Sequence, residues 1–222
     1  MNRPIVVLAP LRIEAAAVAS GLGTLPPEAR QAVVIRTGPG RRAAATARRG
    51  LATTSGDRAA TVVIGVAGAL AGDLEAGELV VADALIAPDG STHDLDGAAA
   101  GAVVDALLGA GLRARRAPVA TSLRLVRGFS ARRALAEASG AHVVDLESAH
   151  LLAAHGPEPL VVVRAVVDTA RAELLSASTL RGGISALRAL RRATPVLVGA
   201  FALASRPGDV DPASRPPDMI AV

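Results

Sequence analysis

Short runs of Val, Ile, Leu and Ala alternate along the chain with longer segments rich in Ala, Leu and Arg. The short runs predict strands at residues 4–8, 32–37, 61–66, 78–86, 117–121, 142–145 and 160–167, the last reading as the most deeply buried. The longer segments predict helices at 13–20, 41–51, 101–112, 130–139 and 147–155, and two further helical pieces at 183–192 and 195–204. Ser130 is the expected N-cap of the fourth helix. Glycines and prolines punctuate the pattern: Gly38-Pro-Gly40 closes the second strand, Ala67-Gly68 the third and Pro88-Asp-Gly90 the fourth.

Strands that are apolar throughout, without polar alternation, need helices on both faces of their sheet. The expected class is therefore α/β with a mixed, mostly parallel central sheet. No internal repeat is visible. Residues 206–222 are Pro-rich and lack an apolar period, which divides the chain into one domain over 1–205 and a flexible tail.

Composition narrows the picture. The chain has 222 residues, 51% of them hydrophobic, which suits one domain with a sizeable core and excludes disorder. With no Cys there is no disulfide framework, thiol nucleophile or Cys-based metal site. The sequence pI near 11.2 invites a nucleic-acid reading, yet the formal net charge is only +4. Without Lys, Tyr or Cys almost nothing titrates between His and Arg, so the pI drifts to the arginine range. The Arg pairs are scattered, and only Phe129 and Phe201 are aromatic, so base-stacking platforms are missing. The longest uncharged stretch, residues 59–72, falls short of the roughly 20 residues of a membrane helix. The short apolar N-terminus, cut off by Arg12 and Glu14, is unlike a signal peptide, and a cytoplasmic address is the default expectation.

Chemistry concentrates at strand ends. Gly38-Pro-Gly40-Arg-Arg-Ala43 has a dinucleotide-loop spacing, but its acidic partner at the right distance, Asp57, precedes the next strand instead of ending it, where Val66 stands. The glycines are then a tight turn, or a turn whose amides approach a sugar or anion. Three carboxylates follow separate apolar strands: Glu14, Glu147 and Asp168. Singly each reads as a helix cap or a solvated loop acid; together they are what a site beyond a sheet edge needs. His93, His142, His150 and His155 share no metal-ligand spacing, and no G-x-S-x-G elbow is present.

Six segments occur in an order that carries a resemblance: Ala9-Pro-Leu-Arg-Ile-Glu14, Thr37-Gly-Pro-Gly40, Val63-Ile-Gly-Val-Ala-Gly-Ala-Leu70, Leu74-Glu-Ala-Gly-Glu-Leu-Val-Val-Ala-Asp83, Val144-Asp-Leu-Glu-Ser148 and Val162-Val-Arg-Ala-Val-Val-Asp168. The chain resembles the purine nucleoside phosphorylase/nucleosidase superfamily over residues 5–170. Within it, Asp145-Leu-Glu-Ser148, Arg164-Ala-Val-Val-Asp168 and Ala117-Pro-Val-Ala-Thr-Ser122 are most similar to hopanoid-associated phosphorylases, also described as adenosylhopane nucleosidases.

That resemblance implies a nucleoside phosphorylase-like, single-domain three-layer sandwich. It also implies cleavage of the N-glycosidic bond of an adenosine-type nucleoside, releasing adenine, with adenosylhopane as substrate. Methylthioadenosine/S-adenosylhomocysteine or futalosine nucleosidases, or a nucleoside-binding protein without turnover, are the alternatives. Asp168 matches the acid that protonates the purine N7, a role implying a raised pKa in the apolar company of Val166 and Val167. Glu147 matches the carboxylate on the ribose hydroxyls, Leu146 the apolar residue under the sugar, and Glu14 the base that activates water. Val66, Ala67, Gly68, Gly38 and Gly40 would line the substrate. Arg12 stands where related phosphorylases bind phosphate, so water and phosphate both remain open as nucleophile. No metal or organic cofactor is implied. The partners are a small nucleoside, lipidic in the hopanoid reading, and a second copy of the chain in a homodimer or other homo-oligomer.

The chain departs from the family at Val66 and Val167, where a Ser or similar polar residue is usual. It departs again at Leu123, Arg124 and Leu125, where an aromatic stacks on the purine. An adenine must then lie between aliphatic side chains or recruit Phe129 or Phe201.

Overall fold

The apolar runs become a single mixed sheet. The computed structural model describes residues 4–54, 58–156, 158–169 and 177–204. Its strands are β1 (Ile5–Ala9), β2 (Ala32–Arg36), β3 (Ala60–Ala69), β4 (Leu79–Ile86), β5 (Thr92–Asp94), β6 (Ala114–Thr121), β7 (Val143–Asp145) and β8 (Leu160–Asp168). The helices are α1 (Arg12–Leu22), α2 (Ala43–Thr53), α3 (Gly97–Gly109), α4 (Phe129–Ser139), α5 (Ser148–Leu152) and α6 (Ala177–Ala204). The tail over 206–222 and Asp57 lie outside the described residues.

Strand β3 is the hub. It pairs in parallel with β1 and β8 and, at its far end, antiparallel with β7. From β8 the sheet continues antiparallel to β4, then parallel through β6 to β7, which returns to β3. These five strands therefore close on themselves, while β2 extends the sheet beyond β1 and β5 extends it beyond β4. Two core clusters follow from burial on both faces. One packs α1, α3 and α6 through Val18, Val103, Leu107 and Leu190; the other packs α2 and α5 through Ala47, Leu51 and Leu151. The α/β class and the mixed, mostly parallel sheet expected from the pattern are what the structure has.

Some boundaries differ, each for a local reason. Helix α3 begins earlier than its apolar period because Asp96 caps it, accepting hydrogen bonds from the amides of Ala98 (2.9 Å) and Ala99 (3.1 Å). Helix α4 begins at Phe129 after Gly128, which has φ +79°; Ser130 is inside the helix and is not its cap. The two predicted C-terminal pieces are one helix, α6, with Pro195 inside it. Leu190 before the proline and Leu197, Val198 and Phe201 after it are all buried, so both halves are pinned to the same surface. Pro195 has no N–H for the carbonyl of Arg191. Against that carbonyl lies Gly21 of α1, whose Cβ, if present, would stand 2.3 Å from the Arg191 oxygen. The glycine lets α1 close over the interruption.

Candidate active site

Glu14, Glu147 and Asp168 stand at or just after the ends of β1, β7 and β8; Glu14 and Glu147 lie within each other's electrostatic reach, and Asp168 sits beside Gly68 of β3. Glu14 lies in the first turn of α1, 2% exposed. One carboxylate oxygen accepts from the Leu11 amide (2.6 Å) and the other from the Val66 amide on β3 (2.8 Å). The helix-cap reading is thus true of Glu14 but incomplete, because the second amide belongs to the sheet. Burial pushes the Glu14 carboxyl above its ordinary range, Arg164 and the two amides oppose this, and Glu147 adds to it.

Glu147 follows β7 and precedes α5, and is also buried. Its Oε1 accepts from the Gly40 amide at 2.8 Å. Burial raises its carboxyl too, against the attraction of Arg164 and the Gly40 amide. Gly38 (φ +82°) and Gly40 (φ +64°) adopt left-handed backbone, which explains the glycines, and no neighbour crowds either of them. The amide of Gly40 orients Glu147 and so is not free to hold a ligand; the Gly38 amide donates to the carbonyl of Pro10 (3.0 Å).

Between the two glutamates runs Arg164, fully buried at the middle of β8. Its Nε faces Asp145 Oδ2 at 2.7 Å, and its Nε and Nη2 donate to Ser148 Oγ at 3.2 and 2.9 Å. Its Nη1 has no hydrogen-bond partner among the described residues. The guanidinium passes over Gly65, where a Cβ would meet Nη1 at 2.1 Å and Glu14 Oε1 at 2.9 Å. Asp145 anchors the group, accepting also from Thr121 Oγ1 (2.8 Å), the Glu147 amide (3.2 Å) and the Ser148 hydroxyl. Arg164, Asp145, Ser148 and Gly65 lie inside the motifs, but their place in the site follows only from the structure. The available signal was a lone arginine inside the most apolar strand, since a buried charge requires partners.

Asp168 ends β8. The register of β3 with β8 shifts between Ala67 and Gly68, so that Gly68 faces Asp168 and Val167 is the extra residue. This bulge brings the Asp168 carboxylate over Gly68, where a Cβ would be 3.1 Å from Oδ1. The expected purely apolar company is not what the structure has. Val167 does line the cavity beside Asp168, but so does Arg132 of α4, which grips the carboxylate. Its Nη2 lies 2.6 Å from Oδ2 and its Nη1 3.1 Å from Oδ1. Local sequence does not single out Arg132, one of two adjacent arginines on an Ala-rich helix.

A cavity of about 60 Å³ adjoins the pair, lined by Gly68, Leu125, Val126, Leu146, Val167 and Asp168 among others. Of the residues where an aromatic was missed, Leu125 faces this cavity, while Leu123 and Arg124 line a separate hollow of about 600 Å³ with Ile86, Pro88 and Leu135. Phe129 is exposed and Phe201 sits in the core, so neither lines the cavity. Val66 contributes its amide to Glu14 while its side chain packs on the α1–α3–α6 cluster. Ala67 is buried in the opposite cluster. Arg12 opens α1 and is exposed. No cluster of metal-ligating side chains occurs among the described residues, and no described helix is long and apolar enough to cross a membrane.

Comparison with solved structures finds the same α/β fold in several enzymes. Among the matches is 5'-methylthioadenosine/S-adenosyl homocysteine nucleosidase from Campylobacter jejuni, with a TM-score of 0.75 and 15% identity over 90% of this chain and 99% of that one. Futalosine hydrolase from Helicobacter pylori matches at TM-score 0.72 and 16% identity, over 92% of this chain and 99% of that one. The Helicobacter pylori methylthioadenosine nucleosidase mutant holding 5'-methylthioadenosine in its active site matches at 0.73 and 16%, over 92% and 100%. No family model and no curated protein matches the sequence.

Proposed function

We propose that the chain cleaves the N-glycosidic bond of an adenosine-type nucleoside and releases adenine. The observation that carries this reading is the pair Glu14 and Glu147, held by fixed amides in the field of Arg164, with Asp168 over Gly68 on the strand whose Val66 amide holds Glu14. As the bond between C1′ and N9 breaks, its electron pair passes to the purine, and Asp168 delivers a proton to N7. A water oxygen adds to C1′ while Glu14 takes the water's proton. The raised pKa of Glu14 suits a base working near neutrality. Glu147 accepts hydrogen bonds from the ribose hydroxyls, each worth about 1.5–3 kcal/mol. Arg164 keeps both glutamates in place, with one N–H edge unused.

Adenosylhopane, and with it a place in hopanoid biosynthesis, is the substrate we favour. The absence of an aromatic against the base and the exposed Leu123, Leu125 and Phe129 near the site suit a greasy substituent. Methylthioadenosine, S-adenosylhomocysteine and futalosine are the competing substrates. The test is chromatography of free base from a panel of these nucleosides, with and without phosphate. Adenine release without phosphate supports the water role of Glu14; release that needs phosphate replaces that role, with Arg12 as the anion contact. A nucleoside-binding protein without turnover is the second reading, favoured by the closed Arg132–Asp168 pair; it predicts nucleoside affinity with no base released. A homo-oligomer in the cytoplasm completes the proposal, and sedimentation tests the first part of it.

A further inference from the structure

Arg132 occupies the place that the leaving base needs. Both Asp168 oxygens are engaged by its guanidinium, which also donates to the carbonyls of Thr169 (3.0 Å), Ala69 (3.4 Å) and Val126 (3.4 Å). Both side chains are essentially buried, 2% and 0% exposed. The residual cavity of about 60 Å³ is far below the roughly 300–1,000 Å³ of small-molecule sites. Among the described residues the space beside Asp168 is too small for a purine with the pair closed, and each Asp168 oxygen already accepts from the guanidinium.

The element carrying Arg132 is built to move. In α4 the only fully buried side chain is Arg132 itself, and Phe129 at its start is 53% exposed. The helix rests on the rest of the molecule mainly through the partly buried Leu135 and Ala136, on a small cluster that includes Leu70, Ile86 and Val144. Glycines with positive φ bracket it, Gly128 (+79°) and Gly140 (+67°). Little apolar area holds the helix down, so the ion pair is its main attachment.

We propose that Arg132 is a plug for the base pocket of the nucleoside site: outward movement of α4 withdraws the guanidinium, admits the purine, and leaves Asp168 to take up the proton it donates. This rests on the nucleosidase reading. Opening the pocket and freeing the Asp168 carboxyl from the guanidinium are then one event. Arg132 is a positioning residue in this scheme, and Asp168 alone touches the base.

Two measurements test it. Arg-specific modification with phenylglyoxal, read residue by residue by mass spectrometry without any ligand, reports opening directly. Arg132 is expected to react measurably while Arg164 does not, and Asp168→Asn, which loosens the pair, should raise the Arg132 rate at least tenfold. Arg132 remaining as inert as Arg164 in both proteins overturns the plug. Stopped-flow binding of 2-aminopurine, free of background in a chain without Trp or Tyr, reads the consequence. The wild-type rate should level off with ligand concentration, and Arg132→Met should lift that ceiling at least tenfold; Arg132→Lys, which keeps the charge but not the two-point grip, should fall between. A wild-type rate that climbs linearly and is unchanged in Arg132→Met overturns the proposal. If wild type neither binds the base nor releases any, the nucleosidase reading fails, while the modification experiment still decides whether the plug opens.

Discussion

Two buried arginines face aspartates a few residues from the same cavity, and they are held in different ways. Arg164 grows from the centre of β8, lies over Gly65, and shares its field among Asp145, Glu14 and Glu147. Arg132 grows from a peripheral helix and, among the described residues, pairs with no carboxylate but Asp168. The first belongs to a network anchored on central strands; the second can leave if one helix moves. Under the proposed function, a site that fixes a sugar yet admits and releases a base needs both kinds of support.

The largest expected effect separates these two roles. Arg164→Leu strands three carboxylates in a buried network and should cost about 3–5 kcal/mol in urea unfolding. Arg132→Leu should cost less, because among the described carboxylates Asp168 alone loses its cation. Equal losses would mean that α4 is as firmly built in as β8, and the contrast between the two would collapse.

Catalysis should divide along the same line. Glu14→Gln is expected to lower base release by about 10²–10⁴. Because both Glu14 oxygens accept backbone N–H bonds, the glutamine amide turns a donor toward one of them, so the variant also loses orientation. Asp168→Asn should lower release over a similar range while keeping affinity for free base. Measuring both as single-turnover rates, beside equilibrium binding of adenine, distinguishes loss of chemistry from loss of the pocket.

Much of this arrangement was legible in the sequence. The strand-ending acids and the Gly38–Gly40 turn carry their own signals, because continuous apolar runs locate the sheet and glycines mark its exits. The helix carrying Arg132 gave no such signal. A contact between residues 132 and 168 depends on how α4 lies across the sheet, and local periodicity says nothing about that. Pro195 misled for the opposite reason: a local rule against proline in helices was overridden by burial on both sides of it. The β3–β8 register shift that turns Asp168 over Gly68 was invisible for the same reason as Arg132, being a property of two strands together.

A smaller effect concerns pH. In the proposed mechanism Glu14 works as a base only when ionised, so activity should fall as pH drops through its raised pKa, at a pH above the ordinary glutamate value of 4.5. Glu147 is one cause of that rise. Glu147→Gln should therefore move the acid limb of the kcat profile to lower pH, in addition to raising KM by weakening the grip on the sugar. A limb that stays in place would show that the two glutamates do not sense each other, and that Arg164 insulates them.

The smallest effect lies outside the site and supplies its control. Glu158 pairs with Arg58 (2.9 Å) and accepts from Thr61 Oγ1 (2.6 Å), tying the start of β8 to the start of β3. Burial pushes its carboxyl up, but the Arg58 and Thr61 hydrogen bonds outweigh this and hold it at about 2. A folded pKa below the unfolded value contributes stability that is fully present above about 4.5 and is lost as pH falls toward about 2. Glu14, with its raised pKa, has the opposite sign: its contribution is present below 4.5 and lost as pH rises through the folded value. Thermal melts of Glu158→Gln should therefore match wild type most closely near pH 2 and fall below it toward neutrality. Base release by the folded variant should be unchanged, because Glu158 touches no group of the site. A loss of activity with no loss of stability would mean that the β3–β8 register is set at this end of the strands, and that the placement of Asp168 over Gly68 depends on it.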